Sequence, residues 1–375
     1  MVDNHQNWAK KMSANLMEQN KSGRIQYIDA LRGFTMILVV FAHVETFSFF
    51  NFSYETFLGK FFQSFRMPLF FFISGFIAFS ANREWTGNVV RELTKKKMLV
   101  QIIPALFFGL LYTYACLNSD FNGFISDPTK KGYWFTFVLL EMFLLYYALS
   151  WGGKVLGKRF RMSTSWLTDV SLIVSAGVLF ILKLPFKQIP VLDIIGNYTS
   201  CHYTFNYFIF FVFGVLVRKY AAWFENILNN RFFSAFAVIM FASVFYIGFQ
   251  VGNAVNQTDV FWKVTMTLIE TIAAFFGIFV VYSYFKKYSS AFDYSSRLGK
   301  ALQFIGRRTL DIYLLHYFFL PKLPEVGSFL ISSSNLIIEL FVGFGLSLMI
   351  IAVCLCISNV IRISPFLGKY LFGAK

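Results

Sequence analysis

The chain has 375 residues, 57% of them hydrophobic and only 14% charged, against about a quarter charged in soluble domains. Its apolar runs exceed what a water-soluble core of this size can hide, so the reading is one all-α polytopic membrane domain without an appended soluble module. The net charge of +15 does not mark a nucleic-acid binder, because the basic residues alternate with apolar runs instead of lining one face.

Residues 1–23 form a polar tail rich in Lys, Asn, Gln and Ser. The first apolar run is longer than a signal-peptide core and is expected to remain as an anchor. A span needs roughly 20 apolar residues to cross a hydrocarbon core ~30 Å thick. About ten segments qualify: 28–50, 62–81, 98–117, 133–150, 166–183, 201–217, 232–252, 263–285, 309–327 and 334–358. Together, residues 24–360 make the transmembrane domain, and 361–375 a second tail. The ninth span is the weakest, since Pro321 and Pro324 favour a half-helix followed by an interfacial loop.

Of the 34 Lys and Arg residues, 25 lie in the N-terminal tail and in segments 82–97, 151–165, 218–231, 286–308 and 359–375. The alternate loops hold five: Lys60, Lys130, Lys131, Lys187 and Lys322. This bias places both termini in the cytoplasm. The segment 286–308, with six basic residues, fits either a phosphorylated ligand or headgroups, or a plain topology determinant. Cys116, Cys201, Cys354 and Cys356 form no CxxC pair and no cluster with His, so no metal site is expected. A disulfide between Cys116 and Cys201 has only their shared outer location in its favour.

An ionisable group at the centre of a span costs ~2.5–3.5 kcal/mol and is a functional-site candidate by default. The first span carries Asp29, Arg32 and His43. Eleven residues bring Arg32 and His43 onto one helix face about 16 Å apart, while Asp29 and Arg32 can pair one turn apart. A cation at the inner mouth suits a phosphate, and an imidazole deeper in the membrane suits a base. That spacing is compatible with an extended pantetheine arm without demanding one. Arg32 also reads as a snorkelling residue, and His43 as a helix–helix hydrogen bond.

The second span, FFQSFRMPLFFFISGF (61–76), places Arg66 near the expected depth of His43. Pro68 frees a backbone carbonyl, a common feature beside cavities. Trp134 and Glu141 share a face of the fourth span, and Glu141 reads either as a partner fixing an imidazole or as a counter-charge. Glu270 in the eighth span has the same ambiguity. The phrase IGRRTLDIYLLH (305–316) sets Arg307, Arg308 and Asp311 at the inner entrance, with Tyr313 and His316 a turn deeper. His202 lies at an outer mouth. There is no Gly-rich phosphate loop, HExxH or GxSxG elbow.

RIQYIDALRGFTMILVVFAHV (24–44), FRMPLFFFISGF (65–76), YWFTFVLLEMFLLYY (133–147) and IGRRTLDIYLLH, in this order, resemble the acyltransferase-3 family of bacterial membrane enzymes. The most specific element is an Arg, ten residues and a His, matched by Arg32 and His43. The resemblance implies helices around an intramembrane site in the bacterial inner membrane. It implies transfer of an acyl group, usually acetyl, from cytoplasmic acyl-CoA to a hydroxyl of an envelope glycan or lipid-linked sugar. His43 then matches the catalytic histidine, Arg32 its basic partner and Arg66 the arginine of the second phrase; the matches of Trp134, Phe135, Tyr313 and His316 are looser. Some relatives carry an extracytoplasmic hydrolase-like domain, for which residues up to Lys375 leave no room.

The expected set is therefore His43, Arg66 and Glu141 for chemistry, and Arg24, Arg32, Arg307, Arg308, Tyr313 and His316 for the acyl-CoA, with Lys95 and Lys96 as further phosphate contacts. The imidazole acts either as a base for direct attack or as the acyl carrier itself. Two rivals remain: a transporter or flippase for a glycan or lipid, which the buried charges also suit, and an assembly protein. Homo-oligomerisation is left open.

Overall fold

The computed structural model describes residues 24–50, 56–186, 189–254 and 259–373. The polar tail and Lys187 lie outside the described residues. Among those described there are helices and turns but no strand, in keeping with a bilayer in which backbone groups must pair within their own segment. In chain order the first helices are α1 (Gln26–His43, continued by a π-helical segment Val44–Ser48), α2 (Phe57–Ala78) and α3 (Gly87–Lys97, continued by a π-helical segment Met98–Ile102). Next come α4 (Ile103–Leu117), α5 (Phe121–Ile125), α6 (Trp134–Phe160), α7 (Thr164–Phe186), α8 (Pro190–Thr199) and α9 (Cys201–Lys219). The chain continues through α10 (Ala221–Asn229), α11 (Arg231–Ala254), α12 (Val260–Lys287) and α13 (Arg297–Arg307). It closes with α14 (Thr309–Leu315), α15 (Pro324–Ser333), α16 (Leu336–Ile361) and α17 (Pro365–Phe372).

Among the described residues, nine helical segments are long and apolar enough to cross a membrane. They coincide with nine of the ten expected spans. The third starts earlier than hydropathy suggests: Thr86 caps α3 by accepting from the Val89 amide, and the helix then runs from Gly87 to Leu117 without a break in winding. Lys95, Lys96 and Lys97 are thus helical residues, not loop.

The ninth expected span, 309–327, is not one helix. After α14 the chain makes a 3-10 turn, His316–Phe319, and reaches α15 through non-helical residues. Pro321 and Pro324 have no amide hydrogen to continue a ladder. Neighbouring groups satisfy the freed backbone: the Tyr133 hydroxyl donates to the Leu314 carbonyl at 2.9 Å, and the Leu323 amide to the Ser48 carbonyl at 2.8 Å. Such a break is tolerated at membrane depth only inside protein. Thr309 meets Arg32 and His316 meets His43, so the segment still travels alongside α1 between those two levels.

Burial shows which helix is the axis. The window of α1 with its π-segment is 72% buried, against 17% for α7 and α11, whose apolar side chains such as Ile181 and Ile239 face outward. Glycines let the central helices touch backbone to backbone. A Cβ on Gly33 would lie 1.9 Å from the Leu302 carbonyl oxygen of α13, and one on Gly75 1.9 Å from that of Phe211 in α9. Helices in lipid gain their association from such close packing. The four cysteines are all free, so the Cys116–Cys201 disulfide does not form.

Candidate active site

A cavity of about 840 Å³ runs along α1. Arg32 and Lys97 line one end, His43, Arg66 and Tyr317 the middle, and Asp127, Thr129 and Lys131 the other end. The two π-helical segments follow directly on His43 and Lys97, and each contributes residues to the wall: Thr46 and Phe47 from one, Val100 and Gln101 from the other. A π-turn inserts one residue into a helix and is frequent at functional sites.

Hydrogen bonding fixes the proton positions around His43. His316 Nδ1 sits 2.8 Å from the Tyr313 carbonyl and 3.1 Å from that of Ile312. Carbonyls only accept, so this nitrogen carries the hydrogen. In a neutral ring Nε2 is then an acceptor, and His43 Nδ1, 2.8 Å away, donates to it. The ring planes differ by 12° with centroids 4.9 Å apart, which is an edge-to-edge, in-plane bond. His43 Nε2 is therefore left with a lone pair. It faces the Tyr317 hydroxyl at 3.2 Å, which also reaches the Gly132 carbonyl at 3.2 Å. One hydroxyl proton cannot serve both acceptors at once. His316 itself is fully buried.

Gly132 anchors this corner. Its φ is +104°, a conformation that favours glycine, and a Cβ there would lie 2.3 Å from the Tyr317 ring. The Tyr313 hydroxyl donates to the same carbonyl at 2.9 Å and accepts from the Phe135 amide at 3.2 Å. The loop leading to Gly132 is held by Asp127, whose Oδ1 accepts from the Thr129 amide and hydroxyl, both at 2.7 Å, while Lys131 lies 3.1 Å from Oδ2. Burial alone would raise the Asp127 carboxyl, but those bonds and the Lys131 ammonium outweigh it and hold the group below its ordinary value.

Arg32 donates to Thr309 Oγ1 at 2.9 Å and lies 3.9 Å from Asp29. Its guanidinium still lines the cavity. Lys97 joins it there with Nζ 3.5 Å from the centre of the Phe143 ring. Arg66 is close enough to interact electrostatically with His43 and Tyr317. It also feels Glu45, two residues beyond His43, which is 1% exposed and neighbours the buried Glu339 of α16.

The sequence-selected residues divide accordingly. His43, Arg32, Arg66, Trp134, Phe135 and Tyr313 line the cavity, and His316 reaches it through His43. Glu141 does not meet His43; it accepts from Thr204 Oγ1 of α9. Arg307 bonds back to the Gln303 carbonyl and faces Tyr294. Arg308 donates to Ser358 Oγ and contacts Asp311, which Arg362 grips through two bonds of 2.9 Å. Arg24 is exposed. Neither it nor Arg307, Arg308, Lys95 or Lys96 lines the cavity. His202 is buried beside Tyr203, apart from the dyad. Sequence reading missed Tyr317, one residue past the last phrase it quoted, and Lys97, which a hydropathy boundary at residue 98 consigned to a loop. Gly132 carried no pattern that would have selected it, whereas Glu45 and Glu339 lie inside the first and last expected spans, where the cost of a buried charge was a signal that the reading passed over. Among the described residues, no group of three or more His, Cys, Asp or Glu side chains is arranged to hold a metal ion.

Compared with known protein families, residues 25–361 match the profile described as an acyltransferase domain. The chain belongs to the acyltransferase-3 family. It is thus a membrane acyltransferase in the general sense that the family implies. No curated protein and no solved structure matches the chain. The matched stretch takes in His43 and His316, the cavity-lining cations Arg32, Arg66, Lys97 and Lys131, and all nine spanning helices found among the described residues.

Proposed function

We propose that this acyltransferase moves an acyl group, acetyl in the first instance, from cytoplasmic acyl-CoA to a hydroxyl of an envelope glycan or lipid-linked sugar, and that it does so in the bacterial inner membrane with both termini cytoplasmic. The observation that carries the reading is the His43–His316 pair, whose outward nitrogen lies in a cavity that also holds Arg32 and Lys97. The two cations offer charge-assisted contacts to the donor's phosphates. The helical rise from Arg32 to His43, about 16 Å, is spanned by the pantetheine arm.

His43 Nε2 takes the proton of the acceptor hydroxyl as its oxygen bonds to the thioester carbonyl. Arg66 and the Tyr317 hydroxyl, the groups nearest His43 able to meet an anion, stabilise the negative charge that collects on the carbonyl oxygen. When the carbon–sulfur bond breaks, His43 returns the proton to sulfur, giving the ester and the free thiol. His316 keeps Nδ1 of His43 protonated throughout, so the working nitrogen begins and ends each cycle with its lone pair free.

The test uses the full chain in membranes with labelled acetyl-CoA, followed by mass spectrometry of the envelope glycans. Replacing His43 by Ala is expected to lower transfer by about 10²–10⁴ at unchanged protein level, and to remove the acyl mass increment from the glycan. Normal transfer by that variant would overturn the proposal.

A further inference from the structure

A second cavity of about 450 Å³ lies among α2, α7, α9, α11 and α12. Its wall mixes aromatic rings, among them Phe180, Phe210 and Phe245, with Lys60, Gln63, Asn206, Lys183 and Glu270. Glu270 stands roughly ten residues into α12, about 15 Å along the helix, and is exposed there. Lys183 of α7 is near enough to interact with it. The Asn206 side-chain oxygen is buried without a hydrogen-bond partner. Pro68 withholds an amide from the Ser64 carbonyl, and both residues line this wall. Polar groups within spanning helices are costly, and the buried Asn206 oxygen, which no protein group meets, calls for a polar ligand.

The surroundings narrow the ligand. The walls α7, α11 and α12 are the outward-facing helices, their windows only 17%, 17% and 22% buried, so access from the side is access from the bilayer. Planar amides and a carboxylate beside aromatic rings suit sugar hydroxyls. Lys60 and Lys183 bring ammonium groups that a phosphate can meet. Gln63 and Tyr207 line both this cavity and the one that holds His43. Tyr207 continues a stacked row with Trp134 and Tyr203, in which the Trp134–Tyr203 centroids are 4.3 Å apart.

We propose that the second cavity is the acceptor site, and that the acceptor is a lipid-anchored sugar joined to its lipid through phosphate, entering sideways from the bilayer and reaching His43 past Gln63 and Tyr207. This rests on the acyl-transfer reading but names the acceptor class and its route. Donor and acceptor then approach one nitrogen from different directions and occupy the protein together.

Binding tests it without relying on turnover. The full chain is extracted in mild detergent from cells making their own envelope lipids, and its retained lipids are identified by native mass spectrometry. The wild type and His43→Ala are both expected to retain a phosphate-containing glycolipid. Asn206→Leu and, separately, Lys183→Gln are each expected to lose about tenfold of it while keeping the wild-type melting temperature and binding of labelled acetyl-CoA. Equal retention in all four proteins, or retention of ordinary glycerophospholipid alone, overturns the proposal. Glycolipid retained by wild type and His43→Ala and lost from the two cavity variants, with no acyl transfer by the wild type, would leave this site standing and overturn the catalytic reading instead. Should one cavity variant fail to fold, the other carries the comparison.

Discussion

His316 contributes to chemistry only through the ring it touches, and that makes its role separable from a packing role. In His316→Ala the hydrogen on His43 Nδ1 loses its acceptor and the two tautomers of His43 become comparable. We expect kcat to fall by about 10–10² with KM for the acyl donor changed by less than about twofold. His316→Gln, whose carbonyl can accept from Nδ1, should recover part of the loss and restore the shape of the pH–rate profile. A variant that lost stability and activity together, with no rescue by Gln, would make the residue structural. Arg32, His43, Arg66 and His316 were legible in the sequence because a charge or imidazole inside an apolar run carries a cost that demands a reason. Their grouping was not legible, because it depends on which helices touch. Glu141 shows the limit: it is just as buried in an apolar run, yet its partner is Thr204 of the neighbouring α9.

At the level of elements, the close crossing of α2 and α9 is the feature most exposed to a single change. Gly75 faces the Phe211 carbonyl and Gly214 faces that of Phe72, with ideal Cβ positions 1.9 and 2.0 Å from those oxygens. Gly75→Leu must push the helices apart, a cost of about 1–3 kcal/mol or more. Thermal unfolding in detergent should therefore show a lowered midpoint, whereas Gly177→Ala in α7, with nothing within 4 Å of the new Cβ, should leave it unmoved. Equal midpoints for the two variants would mean that the crossing is not tight. Element boundaries were read well wherever hydropathy and helix coincide. They failed at α3, where a hydrophilic helix of 11 residues capped by Thr86 leads into the apolar run, and at 309–327. There the two prolines had flagged the weakness, but they could not reveal that α14 keeps its place by bonds to α1 and to the loop before α6.

For the whole molecule, the proposed orientation, with both termini cytoplasmic, rests on the count of basic residues, and thiol labelling tests it. In an otherwise cysteine-free chain, Asn122→Cys should react with a membrane-impermeant thiol reagent in intact cells, and Lys300→Cys only after permeabilisation. The reverse pattern would invert the assigned sidedness and with it the direction from which the donor arrives. The stretch between Phe319 and α15 has a wider consequence. It owns no hydrogen-bond ladder and is pinned at Leu323 by a carbonyl of the π-segment that follows His43. This clasp works together with the Arg32–Thr309 and Tyr133–Leu314 bonds, and anything that spreads α1 from α14 would uncouple the two imidazoles without touching either of them. Slow deuterium uptake at the Leu323 amide would then report, from outside the active cavity, whether the proton path inside it is intact.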